Sequence, residues 1–334
     1  MSSLQELAQR TRPQRKAYAR AWFVEHVLRA LRLPSSLARP AAESRLAHHR
    51  ALLEQVAHES PEPLPIDRRT DLSPEEFERE YLDTDTPVVL VGAAREWTCV
   101  QEWTPARFGR RFSEEPIRLL RSGPNEAPLP GTGELTTFGE VIDRMEAGGS
   151  PYIRFSSIIN KHPELIDDFD EAWLVRMRCA TRGYGNYGLF LGGKGTATGL
   201  HSAMAPNLFV QVHGLRQWFI YPACFAPFLL PPVHASPFFY SQVDARDIES
   251  CAKHLPAWKT TLEPGDVLFN PAFFWHQVQN LSPTIGVGYR WTSFKQALRV
   301  APLQTMITLT ATNPPVWTLR HQTDFTTVLD QHTH

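Results

Sequence analysis

The sequence predicts a mainly β protein with flanking helices: an antiparallel β sandwich or barrel, a helical N-terminus and C-terminal helices. Three observations lead there. From Tyr152 onward, short β-type runs alternate with Gly/Pro turns. The first sixty residues instead place apolar residues at helical spacing among many arginines. The chain also holds 9 Trp and 28 Pro in 334 residues, which fits rigid loops and an aromatic-lined interior.

The elements follow in order. Residues 14–33 put Tyr18, Trp22, Val27 and Leu31 near one helix face, among Arg15, Lys16, Arg20, Arg29 and Arg32, and Pro34 ends the helix. A second helix covers residues 43–59, with Leu46, Leu53 and Val56 as its apolar positions. Residues 60–71 hold Pro61, Pro63 and Pro65 and read as a linker. Ser73 then caps a helix, with Pro74 in its first turn and Glu76 closing a capping box. Residues 87–91 (PVVLV) form a short buried strand, Thr104-Pro105 starts a helix, and residues 116–120 form another strand. Thr137 opens a helix that stops at Gly148-Gly149. Strands follow at residues 187–191, 207–212, 218–221, 267–270, 277–280 and 285–291. Two mostly helical segments run from Phe294, broken at Pro314-Pro315. The chain thus divides into an N-terminal helical segment (1–60), an α/β lead-in (61–150), a β core (151–293) and a C-terminal helical segment (294–334).

Composition excludes several classes. With 42% hydrophobic and 21% charged residues, the chain is globular and not disordered. A net charge of -1 offers no global field for nucleic acid or an anionic membrane. No apolar run is long enough to span a bilayer, and the N-terminus lacks a secretory h-region, so a cytoplasmic location is expected. Cys99, Cys179, Cys224 and Cys251 form no CxxC pair, which removes a zinc knuckle and argues against a disulfide framework. Residues 1–40 hold seven Arg and one Lys against Glu6 and Glu25. That excess reads as a solvated helix face; the sharper reading is a docking surface for an acidic partner such as a carrier protein.

The chemistry is carried by two histidines where strands meet turns. His201 closes Gly195-Thr196-Ala197-Thr198-Gly199-Leu200-His201, and His276 closes the segment from Pro264-Gly265-Asp266 through Phe273-Phe274-Trp275. Imidazole suits a borderline metal, and two His on facing strands can hold one from adjacent corners. The run Asn207-Leu208-Phe209-Val210-Gln211-Val212-His213-Gly214-Leu215-Arg216 lies between them, as does Ser241-Gln242-Val243-Asp244. In these motifs, over residues 85–320, the sequence resembles the JmjC-type, cupin-fold Fe(II)/2-oxoglutarate oxygenases, nearest the asparaginyl hydroxylase branch called factor inhibiting HIF. The resemblance implies a double-stranded β-helix (jelly-roll) core, with Fe(II), 2-oxoglutarate and O2 as cofactors. It places His201 and His276 as metal ligands, and Thr198 and Tyr152 on the far carboxylate of 2-oxoglutarate. Asn207 falls near the cosubstrate's other end, and Arg216 stands where the branch usually has Lys. It also implies a homodimer through the C-terminal helices. Phe273, Phe274, Trp275 and Trp291 are expected to wall the pocket or simply to pack the core, and Asp266 reads as a turn residue.

Ala203 departs from the pattern. The family expects Asp or Glu there, completing a two-His-one-carboxylate triad, and no Asp or Glu occurs from Ala172 to Val243. A methyl group cannot bind iron. Three readings follow. In the leading one the vacated position seats chloride or bromide, and the enzyme halogenates a C–H bond. In the second, water fills the place and the enzyme hydroxylates, or Ala203 is a substituted form of an ordinary hydroxylase. In the third the chain is a non-catalytic cupin scaffold. A small metabolite, a carrier-bound group or a peptide are all open as substrate.

Overall fold

The computed structural model describes residues 3–119, 134–179, 185–233, 238–243 and 252–311. Three helices lead: α1 (Ser3–Arg10), α2 (Arg12–Ala30) and α3 (Ser35–Val56). The strands are β1 (Leu64–Pro65), β2 (Asp67–Arg69), β3 (Val88–Leu90), β4 (Pro116–Leu119), β5 (Glu134–Thr137), β6 (Tyr152–Ser156), β7 (Asn186–Gly192) and β8 (Ala197–Ala203). They continue as β9 (Asn207–His213), β10 (Arg216–Tyr221), β11 (Phe238–Tyr240), β12 (Trp258–Leu262), β13 (Val267–Asn270), β14 (Trp275–Asn280) and β15 (Thr284–Arg290).

The strands form two large sheets and one hairpin. One sheet runs β1-β12-β10-β14-β8-β11, the other β2-β3-β13-β9-β15-β7-β6, and β4 pairs with β5. The two sheets make the expected jelly-roll core. Each long strand alternates between an interior face and an outer face. On β15, Ile285, Val287 and Tyr289 join the apolar cluster under the Phe138–Glu146 and Glu171–Met177 helices, through Val141, Ile142 and Leu174. The alternate residues Thr284, Gly286, Gly288 and Arg290 therefore line the interior.

Several expected elements form with the expected chemistry. Ser73 and Glu76 make the capping box, Thr104 and Thr137 cap their helices, and Thr137's helix ends before Gly148. Asp266 is structural as expected: it accepts from Gly92 N at 3.0 Å and from Arg68 Nη2 at 2.8 Å, which ties the turn before β13 to the neighbouring loop.

Other readings are corrected. Residues 60–71 are not a linker: β1 and β2 pair in parallel with β12 and β3, at the edges of the two sheets. α3 begins at Ser35, directly after Pro34, and tolerates Pro40 inside it. Its buried face is Ala38, Arg45, His49, Leu52 and Val56, so Leu46 lies exposed. On α2, Tyr18 and Trp22 are buried as expected, but Leu31 is exposed and Glu25 is buried instead. Glu25 accepts from Arg45 Nε at 2.7 Å and from Arg29 Nε at 2.9 Å. Buried charges are tolerated only when paired in this way. Part of the N-terminal arginine excess is thus consumed internally. Among the described residues, two C-terminal helices, Phe294–Val300 and Pro302–Thr310, part at Ala301, a break the sequence reading did not expect; the expected break at Pro314-Pro315, with Cys251 and Asp244, lies outside the described residues. Among the described residues, no helix is long and apolar enough to cross a membrane.

Candidate active site

His201 on β8 and His276 on β14 are register partners across the antiparallel pair. Their ring centroids lie 4.1 Å apart. His201 Nδ1 is 2.8 Å from Gly199 O, and His276 Nδ1 is 3.0 Å from Phe274 O. A carbonyl only accepts, so each Nδ1 carries the proton and each Nε2 keeps its lone pair. Asn270 lies 3.3 Å from the same His276 nitrogen, with its Oδ1 buried and unbonded. Turned end for end, that amide accepts from the same Nδ1–H, alongside the Phe274 carbonyl. Burial drives His276's pKa down to about 4 and His201's well below the usual imidazole range, with His276 adding to the effect on His201. Both rings are therefore neutral at pH 7. Trp218 stacks on His276 at 5.3 Å and Tyr240 on His201 at 5.4 Å, which fixes both ring planes.

A bulge brings Thr198 to the same face. His276 pairs with His201, and Val278 pairs with Thr198, so β8 carries one extra residue over that step. Thr198 and His201 are three apart and would otherwise point to opposite faces. The Thr198 hydroxyl donates to the Tyr152 hydroxyl at 3.0 Å, and both side chains are buried.

Arg216 occupies the closed end. It is 0% exposed, yet its Nε donates to Asn280 Oδ1 at 2.9 Å and its Nη2 to Thr284 Oγ1 at 2.8 Å, both neutral partners. Its guanidinium carbon sits 4.9 Å from the Phe209 ring centre. Burial pushes its pKa down, while the nearby Tyr152 phenol pulls the other way. Among the described residues, no carboxylate pairs with it. Burying a cation without an opposite charge is costly, and here only neutral hydrogen bonds offset it. The interior-facing glycines leave room: a Cβ on Gly286 would meet Phe209 Cζ at 2.4 Å and Arg216 Nη1 at 2.8 Å.

Ala203 stands two residues beyond His201, on the same face, at the end of β8. Its carbonyl accepts from Phe273 N at 2.7 Å, and Ser202, facing away, donates to Phe273 O at 2.9 Å. These bonds hold Phe273 at φ 58°, a left-handed conformation that costs a non-glycine residue about 1–2 kcal/mol. Asn207 is buried with neither amide atom bonded. Arg290 lies at the mouth, its guanidinium 4.3 Å from the Phe155 ring centre, and burial lowers its pKa to about 10. Arg154 is buried nearby, and the charges of both arginines bear on His201 and Tyr240.

The structure therefore gathers His201, His276, Thr198, Tyr152, Asn207, Arg216 and Ala203 around one interior. It does not place the expected aromatic wall there. Trp275 neighbours His276 on β14 and so faces away from it, and Trp291 packs with Tyr289 at 6.2 Å in the outer cluster. The walls are Trp218, Phe209, Tyr240 and Phe155, which carry no motif. Arg290 and Arg154 were legible only as strand residues. The His pair fits a divalent cation with two protein ligands; among the described residues, no group of three or more His, Cys, Asp or Glu stands together.

A jelly roll with two facing imidazoles and a buried arginine defines a cupin-type binding barrel. The chain belongs to the family of cupin-like domains, whose model matches residues 74–297. It is similar to JmjC proteins. Lysine-specific demethylase JMJ30 of Arabidopsis thaliana is 25% identical over 236 residues, covering 68% of this chain and 55% of the relative. Lysine-specific demethylase 8 of Xenopus tropicalis is 24% identical over 227 residues, 65% of this chain and 51% of the relative. HSPB1-associated protein 1 of Homo sapiens is 32% identical over a shorter stretch of 105 residues, 28% of this chain and 21% of the relative. The chain spans about half the length, or less, of the curated relatives it matches.

Proposed function

We propose that this protein is a non-haem Fe(II)- and 2-oxoglutarate-dependent oxygenase that hydroxylates a C–H bond. One observation carries the reading: two neutral imidazoles with free Nε2 atoms share an interior with a fully buried arginine that has no acidic partner among the described residues. His201 and His276 would hold the metal. Arg216, with Thr198 and Tyr152 beside it, would hold the far carboxylate of the cosubstrate, and a guanidinium binds a carboxylate through two bonds where lysine offers a point charge. Asn207 offers an unbonded amide for the cosubstrate's other end. When bound, Fe(II) with 2-oxoglutarate and O2 supplies oxidation of an unactivated C–H bond. The protein's own part is to orient both ligands, to keep the imidazoles neutral, and to stack Trp218 and Tyr240 against them so that little water enters. Relatives named as lysine demethylases support oxygen transfer and a peptide among the candidate substrates.

Halogenation is the second reading, and Ala203 alone favours it, because a methyl leaves space for a monoatomic anion. An anaerobic titration with Fe(II) and 2-oxoglutarate tests both, following the visible charge-transfer band with and without chloride. A band indifferent to chloride, followed by succinate release with hydroxylated product, is expected. A band that shifts with chloride moves the reading to halogenation. Absence of any band sinks both and leaves a cupin scaffold.

A further inference from the structure

We propose that the substrate presents an anionic group, a carboxylate in the simplest case, to the guanidinium of Arg290 at the mouth of the barrel. The inference rests on the oxygenase reading and names its substrate class. The interior face of β15 reads Thr284, Gly286, Gly288, Arg290. Its closed end is committed to Arg216 through Thr284. Its two glycines are bare, and a Cβ on Gly288 would lie 3.0 Å from Asn207 Oδ1 and 3.5 Å from Arg290 Nε. Arg290 thus turns back along the bare stretch toward Asn207 and the histidines. It makes no side-chain hydrogen bond or ion pair with the described residues, and its Nε is buried and unbonded. Its contacts are the faces of Phe155 at 4.3 Å and Phe190 at 5.9 Å, which support the flat cation and leave its edge to a ligand. Phe155 holds φ 58° where β6 loses register with β7, so backbone strain is spent at this support.

The charge balance points the same way. A divalent cation and a dicarboxylate cancel each other, and Ala203 removes the acid that would add negative charge. The sequence has no Asp or Glu at residues 172–243 or 267–323, which hold most of the core strands. Among the described residues nothing compensates Arg290 beside the reaction site, and Arg154 adds charge nearby. A lysine side chain entering this mouth would meet like charge; a carboxylate would find a ready partner.

Calorimetric titration with hexanoate, hexanamide and hexylammonium, which share one chain and differ in head charge, tests the proposal. The protein is saturated with 2-oxoglutarate under anaerobic conditions so that Arg216 is occupied, and the series is run with Fe(II) and without metal. Hexanoate is expected to bind about tenfold or more tighter than hexanamide, and hexylammonium to give no heat. Arg290→Gln erases the difference, and Arg290→Lys keeps part of it. Equal binding of the three probes overturns the proposal, as does a hexanoate preference that survives Arg290→Gln. A parallel fall in 2-oxoglutarate affinity in Arg290→Gln also overturns it, by assigning Arg290 to the cosubstrate. If wild-type protein forms no Fe(II)/2-oxoglutarate band, the oxygenase reading falls, and the metal-free series still decides for or against the anion seat.

Discussion

His201 and His276 face each other across β8 and β14 with ring centroids 4.1 Å apart, and each ties its Nδ1 to the carbonyl two residues before it. The same local bond is thus used twice, once in a bulge and once in the turn before β14. It sets the tautomer of both rings without a carboxylate and leaves each Nε2 with its lone pair.

Protonating this pair works against folding. Burial lowers His276 from 6.5 to about 4 in the folded protein, and His201 shifts the same way. The unfolded chain therefore binds more protons between those pH values. Stability of the metal-free protein is fully present above pH 6.5 and falls as pH drops toward about 4, by on the order of 3 kcal/mol for His276. Urea denaturation at pH 7.5 and at pH 5 measures this, and His276→Gln should flatten the dependence. A wild-type midpoint that does not move with pH contradicts it.

Arg216→Met separates binding from stability. The guanidinium is fully buried and bonded to neutral groups, so replacing it with an apolar chain of similar length leaves the ligand-free melting temperature unchanged or raised. The stabilisation by 2-oxoglutarate should vanish, with at least about a tenfold weaker Kd. Thermal melts with and without 2-oxoglutarate check both halves; a large loss of ligand-free stability would show that Arg216 is structural.

The two interior glycines of β15 should differ. At Gly286 a Cβ would press Phe209 Cζ at 2.4 Å, so Gly286→Ala is expected to destabilise by about 1–3 kcal/mol. At Gly288 the nearest atom is Asn207 Oδ1 at 3.0 Å, so Gly288→Ala folds near wild-type stability and acts on ligand binding. Chemical denaturation of the two variants orders them.

Ala203→Asp restores an acid on the face of His201. Fe(II) affinity should rise about tenfold or more, and any effect of chloride on the visible band should disappear. An anaerobic Fe(II) titration reads both; unchanged affinity would mean that this position does not face the metal.

Much of the architecture was legible in the chain. The β runs between turns announced the strands, and the capping box at Ser73 and Glu76 formed as read. The paired motifs around His201 and His276 placed the candidate site. These features are local: propensity, caps and spacing act over a few residues. The strands β1, β2, β5, β6, β11 and β12 were not read from the sequence; β1, β2 and β11 hold only two or three residues, carry no periodicity and exist as strands only through their partners.

Residue types and their order were settled by the sequence itself: two histidines, an alanine where an acid is expected, an arginine in place of lysine, and long stretches without acids. Which of them share a face was decided by tertiary structure alone. The bulge in β8 turns Thr198 toward His201 against simple alternation. Pairing of β10 with β14 sets Arg216 beside Asn280, inside the barrel and across the turn that hid its direction. The same alternation sends Trp275 and Trp291 outward and leaves Trp218 and Tyr240 on the histidines. The physical reason is that a side chain's face depends on register, and register is fixed by the partner strand and its bulges, which lie far away in sequence.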